Sequence, residues 1–147
     1  MAVIRRSGNV FAAVVGEWVL EMKGYTKAVW QESAIAFMYY MQLPVLRGGR
    51  MPVRTGFLRA SLMVSTSPIS YAALNNPNEN STYVWFPTEA ENMIRSAAVG
   101  STIYFMYQAV YANRMEYGDT HIMGYGFQRL AVQAFPSIQD QVIARLG

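Results

Sequence analysis

The chain of 147 residues has the length of one domain and enough material to bury a core. Hydrophobic residues make up 52% and charged residues 14%, against about 25% charged in an average soluble chain, which excludes disorder for most of the sequence. A formal charge of +3 spreads twelve basic residues more thinly than a nucleic-acid-binding stripe, and ten of the twelve are Arg, which favours fixed bidentate pairing over a diffuse basic coat.

Residues 1–8 read as a short arm carrying Arg5, Arg6 and Gly8. From Asn9, a suitable N-cap, the pattern turns helical. Phe11, Val15, Trp18, Met22, Tyr25 and Val29 recur at spacings of three and four, and the stripe continues through Ala36, Phe37, Tyr40 and Met41 to a stop near Pro44. A helix of about 30 residues would be roughly 45 Å long, more than a small domain needs. Either Gly24 divides it, or one end projects to pack on a neighbour.

A glycine- and arginine-rich loop follows, from Leu46 to Thr55. Residues 56–62 open a new element that continues into a strand over 62–66. Residues 67–92 form a long polar insertion rich in Asn and Pro, with an aromatic patch at Tyr83, Val84, Trp85 and Phe86. Alternation predicts a strand over 99–106, with Val99, Ile103 and Phe105 on one face. A short helix is expected over 107–117, ending at Gly118, then a turn-rich loop holding His121. The last helix spans 127–146, with Phe127, Leu130, Ala131, Ala134, Ile138, Val142 and Leu146 on one face and Pro136 either kinking or dividing it. The expected architecture is a single α+β domain over 1–147: a long N-terminal helix, a small mainly antiparallel sheet, and a C-terminal helix packed on one sheet face.

Cysteine is absent, which excludes disulfides, thiolate nucleophiles and Cys-ligated zinc. One histidine excludes a His-cluster metal site within one chain. Arg5 and Arg6 before the apolar run 10–15 mimic a signal peptide, but Glu17, Glu21 and Lys23 follow at once. The uncharged stretch 96–113 holds Gly100, Ser101, Thr102 and Gln108 and reads as strand and turn, not as a bilayer span. Synthesis and assembly in a cytoplasm are expected, and the Asn80-Ser81-Thr82 sequon is then silent. Ten Tyr and ten Met suit extensive protein–protein contact and suit a Tyr-rich core equally.

Two short patterns stand out together. Pro52-x-x-Thr55-Gly56-x-Leu58-Arg59-x-Ser61 follows the long helix, and Tyr111-Ala112-x-x-x-Glu116-Tyr117-Gly118 precedes the last one. In order and placement they resemble the tail-component family of long-tailed bacteriophages, the small neck and tail-completion proteins found where the DNA-filled head meets the tail. The resemblance covers roughly residues 9 to 146, and the departure is the insertion 67–92, which is longer than the family needs. It implies a structural virion protein: a tail-completion protein, tail terminator or head–tail connector; one His, no Cys and no catalytic constellation in the sequence add the expectation of no enzymatic activity and no cofactor. It further implies a homo-oligomeric ring, six-fold or twelve-fold, that contacts adjacent connector and tail proteins and surrounds genomic DNA in its lumen, with no membrane partner. The residues carried by the resemblance are Pro52, Thr55, Gly56, Leu58, Arg59, Ser61, Tyr111, Ala112, Glu116 and Gly118.

The residues themselves support specific roles. Thr55-Gly56 suits a tight turn in which Thr caps the following amides. Arg59 asks for a partner and Glu116 is the matching acid, so the two are expected to pair within or between subunits; otherwise both are solvated and the glycines are ordinary turn residues. Arg47, Arg50, Arg54 and Arg59, four in 13 residues, form the densest positive region, expected to face an acidic neighbour or DNA phosphates, or else to be a solvated loop. Gly48-Gly49 lacks the Lys-Ser/Thr ending of a phosphate-cradling loop. His121 beside Asp119 lacks a nucleophile and an oxyanion hole, and Glu89 with Glu91 near Tyr83, Trp85 and Phe86 is a weak match to a glycosidic carboxylate pair. The rival readings are a small basic nucleic-acid-binding module and a hydrolase using His121.

Overall fold

The computed structural model describes the backbone of residues 8–147 and the side chains of residues 21–147. Arm residues 1–7, the capping role of Asn9 and the apolar positions Phe11, Val15 and Trp18 lie outside the described residues or side chains.

The first helix, α1 (Gly8–Gln42), runs through Gly24 without a break. At 1.5 Å per residue its 35 residues span about 50 Å. Residues 21–27 are all exposed, and burial begins at Gln31 and continues at Ser33, Ile35, Met38, Met41 and Gln42. Residues 21–27 thus stand clear of the core, as the projecting-end alternative expects, and the packed residues described in α1 lie C-terminal to them. Pro44, held extended at φ −64°, ψ 151°, ends the helix, and a single 3-10 turn (Val45–Arg47) starts the arginine loop. Backbone bonds Met51 N to Leu43 O (3.0 Å) and Val45 N to Met51 O (3.0 Å) close that loop at its base.

One turn of helix, α2 (Phe57–Ala60), leads into β1 (Leu62–Ser65), which pairs antiparallel with β2 (Tyr104–Tyr107). The register sets Leu62 opposite Tyr107 and Val64 opposite Phe105. The sheet has these two strands alone among the described residues. The second strand starts five residues later than the alternation predicts, because Gly100 turns the chain at φ +85°. Val99 is left 45% exposed, while Ile103 and Phe105 pack against the core as expected.

Between the strands, the polar stretch expected over 67–92 ends early in a helix, α3 (Thr88–Ser96), whose Ile94 is fully buried against Ile35 and Met38. The irregular part is tied to the fold by backbone bonds. Leu74 N donates to Gln108 O (2.6 Å) and Val110 N to Leu74 O (2.8 Å), a parallel bridge at Leu74 and Ala109. The buried Gln108 side chain accepts Ala72 N (2.6 Å) and donates to Ser70 O (3.1 Å). Trp85 packs against the Ile35–Met38–Ile94 cluster. Through Trp85 the insertion therefore contributes to the core.

After β2 comes α4 (Ala112–Tyr117), shorter than expected because Tyr107 belongs to the strand. The last helix, α5 (Phe127–Leu146), continues as one element through Pro136. The proline removes the donor that Val132 O would receive, and Val132 is 62% exposed, so water can take that carbonyl. The main partner of α5 is α1, where the Phe37 and Phe135 rings meet edge-on at 5.9 Å. Its expected packing on the sheet is realised at its start, where Phe127 meets Tyr107 at 5.0 Å. The architecture is α+β, with the long first and last helices packed together beside a two-stranded antiparallel sheet.

Candidate functional site

The two motifs meet. Pro52, Thr55, Gly56 and Leu58 of the first and Tyr111 of the second line one cleft of about 280 Å³, with Arg54, Glu79 and Arg114 around it. The Phe57 ring lies 5.2 Å from Tyr83 and 6.4 Å from Tyr111.

In the first motif, Thr55 Oγ1 accepts Phe57 N (3.3 Å), the expected capping role. Gly56 adopts φ +86°, and a Cβ there would sit 2.2 Å from Tyr83 O, whose own N–H donates to Thr55 O (2.7 Å). Glycine is needed twice over: for the left-handed backbone and for the close approach of residue 83. Leu58 is 3% exposed in the main core. Ser61 Oγ donates to Leu58 O (2.6 Å) and accepts Ala109 N (3.2 Å), pinning α2 to the end of β2.

Within the chain Arg59 does not pair with Glu116. Its Nε donates to Gln42 O (2.9 Å), Gln42 Nε2 donates back to Arg59 O (2.9 Å), and its guanidinium lies 5.0 Å over the Trp85 ring. Tyr107 completes the knot by donating to Gln42 Oε1 (2.7 Å). Burial, then the nearby Arg47, push the Arg59 guanidinium below its ordinary value, while burial pushes the Tyr107 hydroxyl well up. Arg59 thus fastens the end of α1 to the α2 turn and the aromatic patch.

In the second motif Tyr111 precedes α4 as its N-cap residue and Ala112 is buried. Glu116, 1% exposed, pairs with Arg129 (Nε to Oε1, 2.9 Å). Its two oxygens also accept the backbone N–H groups of Gln128 (2.8 Å) and Arg129 (2.9 Å). These are orphan donors of the first turn of α5, whose own N-cap position is Gly126 and has no side chain to offer. Glu116 therefore caps a helix from outside it, and the negative carboxylate suits the positive end of the α5 dipole. Gly118 (φ +81°) allows the chain to pass within 2.5 Å of where its Cβ would be, at Gly124 N and Ile122 O.

Arg47, Arg50 and Arg54 are exposed and make no ion pair among the described residues. Beside them Leu46 is 94% exposed. The His121 imidazole makes no hydrogen bond among the described residues; Asp119 Oδ1 instead accepts the backbone amides of His121 (2.7 Å) and Ile122 (3.0 Å), and Oδ2 pairs with Arg114 (2.6 Å). Those bonds, the His121 amide first, hold the Asp119 carboxyl below its usual range. Glu89 and Glu91, in the first turn of α3 and two residues apart, face different directions on the helix, and Glu91 accepts the Tyr39 hydroxyl (2.5 Å). Among the described residues no group of three His, Cys, Asp or Glu could hold a metal, and no helix is long and apolar enough to cross a membrane.

Arg129, Gln42 and Gln108, which organise this region, lie outside both motifs. The available signal was indirect: a glutamine interrupting an apolar stripe is either exposed or fully bonded, and a guanidinium in the first turn of a helix is misplaced against the dipole unless a carboxylate answers it. No family model, no curated protein and no solved structure matches this chain.

Proposed function

We propose that this protein is a structural ring component of a phage head–tail junction, acting in tail completion, as a terminator or as a connector, without chemistry of its own. The observation that carries the reading is the surface. Leu46 (94% exposed), Met123 (91%) and Phe86 (76%) project from three separate loops, beside motif residues that are occupied in holding backbone. Apolar side chains presented on separate loops suit repeated contacts with neighbouring subunits. A contact joining two different faces closes into a ring when the rotation allows. Arg47, Arg50 and Arg54 stand beside Leu46 and in this reading meet an acidic face of the next ring, or DNA in the lumen. The motif resemblance supplies the biological setting.

The test is the particle formed by purified protein, by light scattering and negative-stain microscopy, alone and with tail extracts. Closed rings, or incorporation into tailed particles, are expected. A monomer that binds DNA with a steep salt dependence and never enters particles would favour the nucleic-acid-binding alternative.

A further inference from the structure

We infer that β1 is an acceptor for strand addition, and that the added strand is the segment 2–6 of a second copy of this chain; the inference deepens the ring reading and rests on it. The bond from Gln108 N to Ser61 O fixes which residues of β1 face β2. Antiparallel pairs alternate, so Leu62 and Val64 turn their N–H and C=O groups away from β2. Neither makes a hydrogen bond on that edge among the described residues. A two-stranded sheet with an open edge is marginal alone and is a template for another strand.

The edge borders a groove of about 310 Å³ whose far wall is residues 84–86 and α3. Met63, Val84 and Phe86, which line it, are 49%, 60% and 76% exposed. Glu89 also lines it and has no ion pair among the described residues. The occupant that fits is extended, β-branched and basic at one end. Residues 2–6 read Ala-Val-Ile-Arg-Arg. Either face of that strand offers one β-branched residue, Val3 or Ile4, with an arginine two positions on, so one register seats an apolar side chain on the groove and a guanidinium toward Glu89.

Length decides whose segment it is. The groove lies beside Tyr39, whose ring contacts Trp85 at 5.5 Å. Along α1, Gly8 is about 45 Å from Tyr39. Seven extended residues reach about 23 Å. A chain cannot bring its own arm to its own groove, and a neighbour can.

The experiment uses the full chain and two readouts: assembled fraction by light scattering, and hydrogen exchange at the Leu62 and Val64 amides. Assembly should slow exchange at both amides at least tenfold, circular dichroism being unchanged. Arg5→Glu with Arg6→Glu, and separately Glu89→Arg, should each lower the assembled fraction at least tenfold at a fixed concentration. Combining the three substitutions should restore assembly. Unchanged exchange at Leu62 and Val64 on assembly overturns strand addition. Protection that survives the arm substitutions, or failure of the combined variant to recover, overturns the arm as the strand while leaving the ring reading intact. If the chain stays monomeric at every concentration, the ring reading fails for the isolated protein, and a synthetic peptide of residues 1–8 then decides the inference: slowed exchange at both amides supports it, unchanged exchange overturns it.

Discussion

Glu116 and Arg129 hold each other at two points: Arg129 Nε donates to Glu116 Oε1 (2.9 Å) and Arg129 Nη2 to Glu116 O (2.8 Å). One end of this pair is sealed, the Glu116 side chain being 1% exposed, and the other is half open, with the Arg129 side chain at 48% and its guanidinium 4.7 Å over the Tyr117 ring. The asymmetry sets the order of mutational effects. Glu116→Ala orphans two amides of α5 and should cost about 3 kcal/mol by chemical denaturation. Arg129→Ala leaves a buried carboxylate still held by amides and should cost about 2 kcal/mol. A double-mutant cycle should give a coupling above roughly 0.5 kcal/mol for Glu116 with Arg129 and below it for Glu116 with Arg59.

Tyr107 sets an alkaline limit. Its hydroxyl is buried and donates to Gln42, so its folded-state pKa stands well above 10.0. The folded protein keeps a proton that the unfolded chain releases near pH 10. The associated stability is complete below the unfolded value and falls as pH rises from about 10 toward the folded value. Urea midpoints measured from pH 8 to 11 should drop above pH 10 in the native protein. Tyr107→Phe should flatten that drop while lowering stability by about 1–3 kcal/mol at pH 8, because Gln42 Oε1 loses its donor in a buried place.

Two glycines should respond in opposite directions. Gly56→Ala brings a Cβ to 2.2 Å from Tyr83 O at φ +86° and should destabilise by more than about 2 kcal/mol. Gly24→Ala sits in an exposed helical turn with nothing within 4 Å and should stabilise by about 0.5–1 kcal/mol. Thermal melts of the two variants side by side check both signs.

The surface loops should separate folding from assembly. Leu46→Ser and Met123→Ser remove the two most exposed large apolar side chains among the described residues, 94% and 91%. Each should leave unfolding free energy within about 0.5 kcal/mol. Both together should reduce self-association measured by light scattering, and unchanged association would remove these loops from the interface.

What was legible in the sequence follows the range of the interaction that fixes it. The long helix, the strand at 62, the last helix and the Thr55-Gly56 turn declared themselves because period, caps and turn chemistry are local. The start of β2 was blurred because Val99 and Thr102 have strand character, yet Gly100 turns the chain there. α3 was hidden inside a polar stretch, because its burial depends on the single residue Ile94. The partner of Arg59 was misjudged for a different reason. Two complementary charges in paired motifs suggest each other, but Glu116 is satisfied by Arg129, 13 residues on, and Arg59 by a carbonyl at the end of α1 and an indole face. Charge complementarity in sequence names candidates; the topology chooses among them.

The packing of α1 against α5 joins the first helix of the chain to the last, and this bears on how the protein is made. The face of α1 that carries Phe37 and Met41 receives Phe127, Ala131 and Phe135 only after the ribosome has passed residue 135. At about 5–20 residues per second, that face waits several seconds without its native cover. Products truncated before Phe127 would leave that face without its α5 cover, and they should partition into aggregates or onto holding chaperones instead of forming a smaller folded unit.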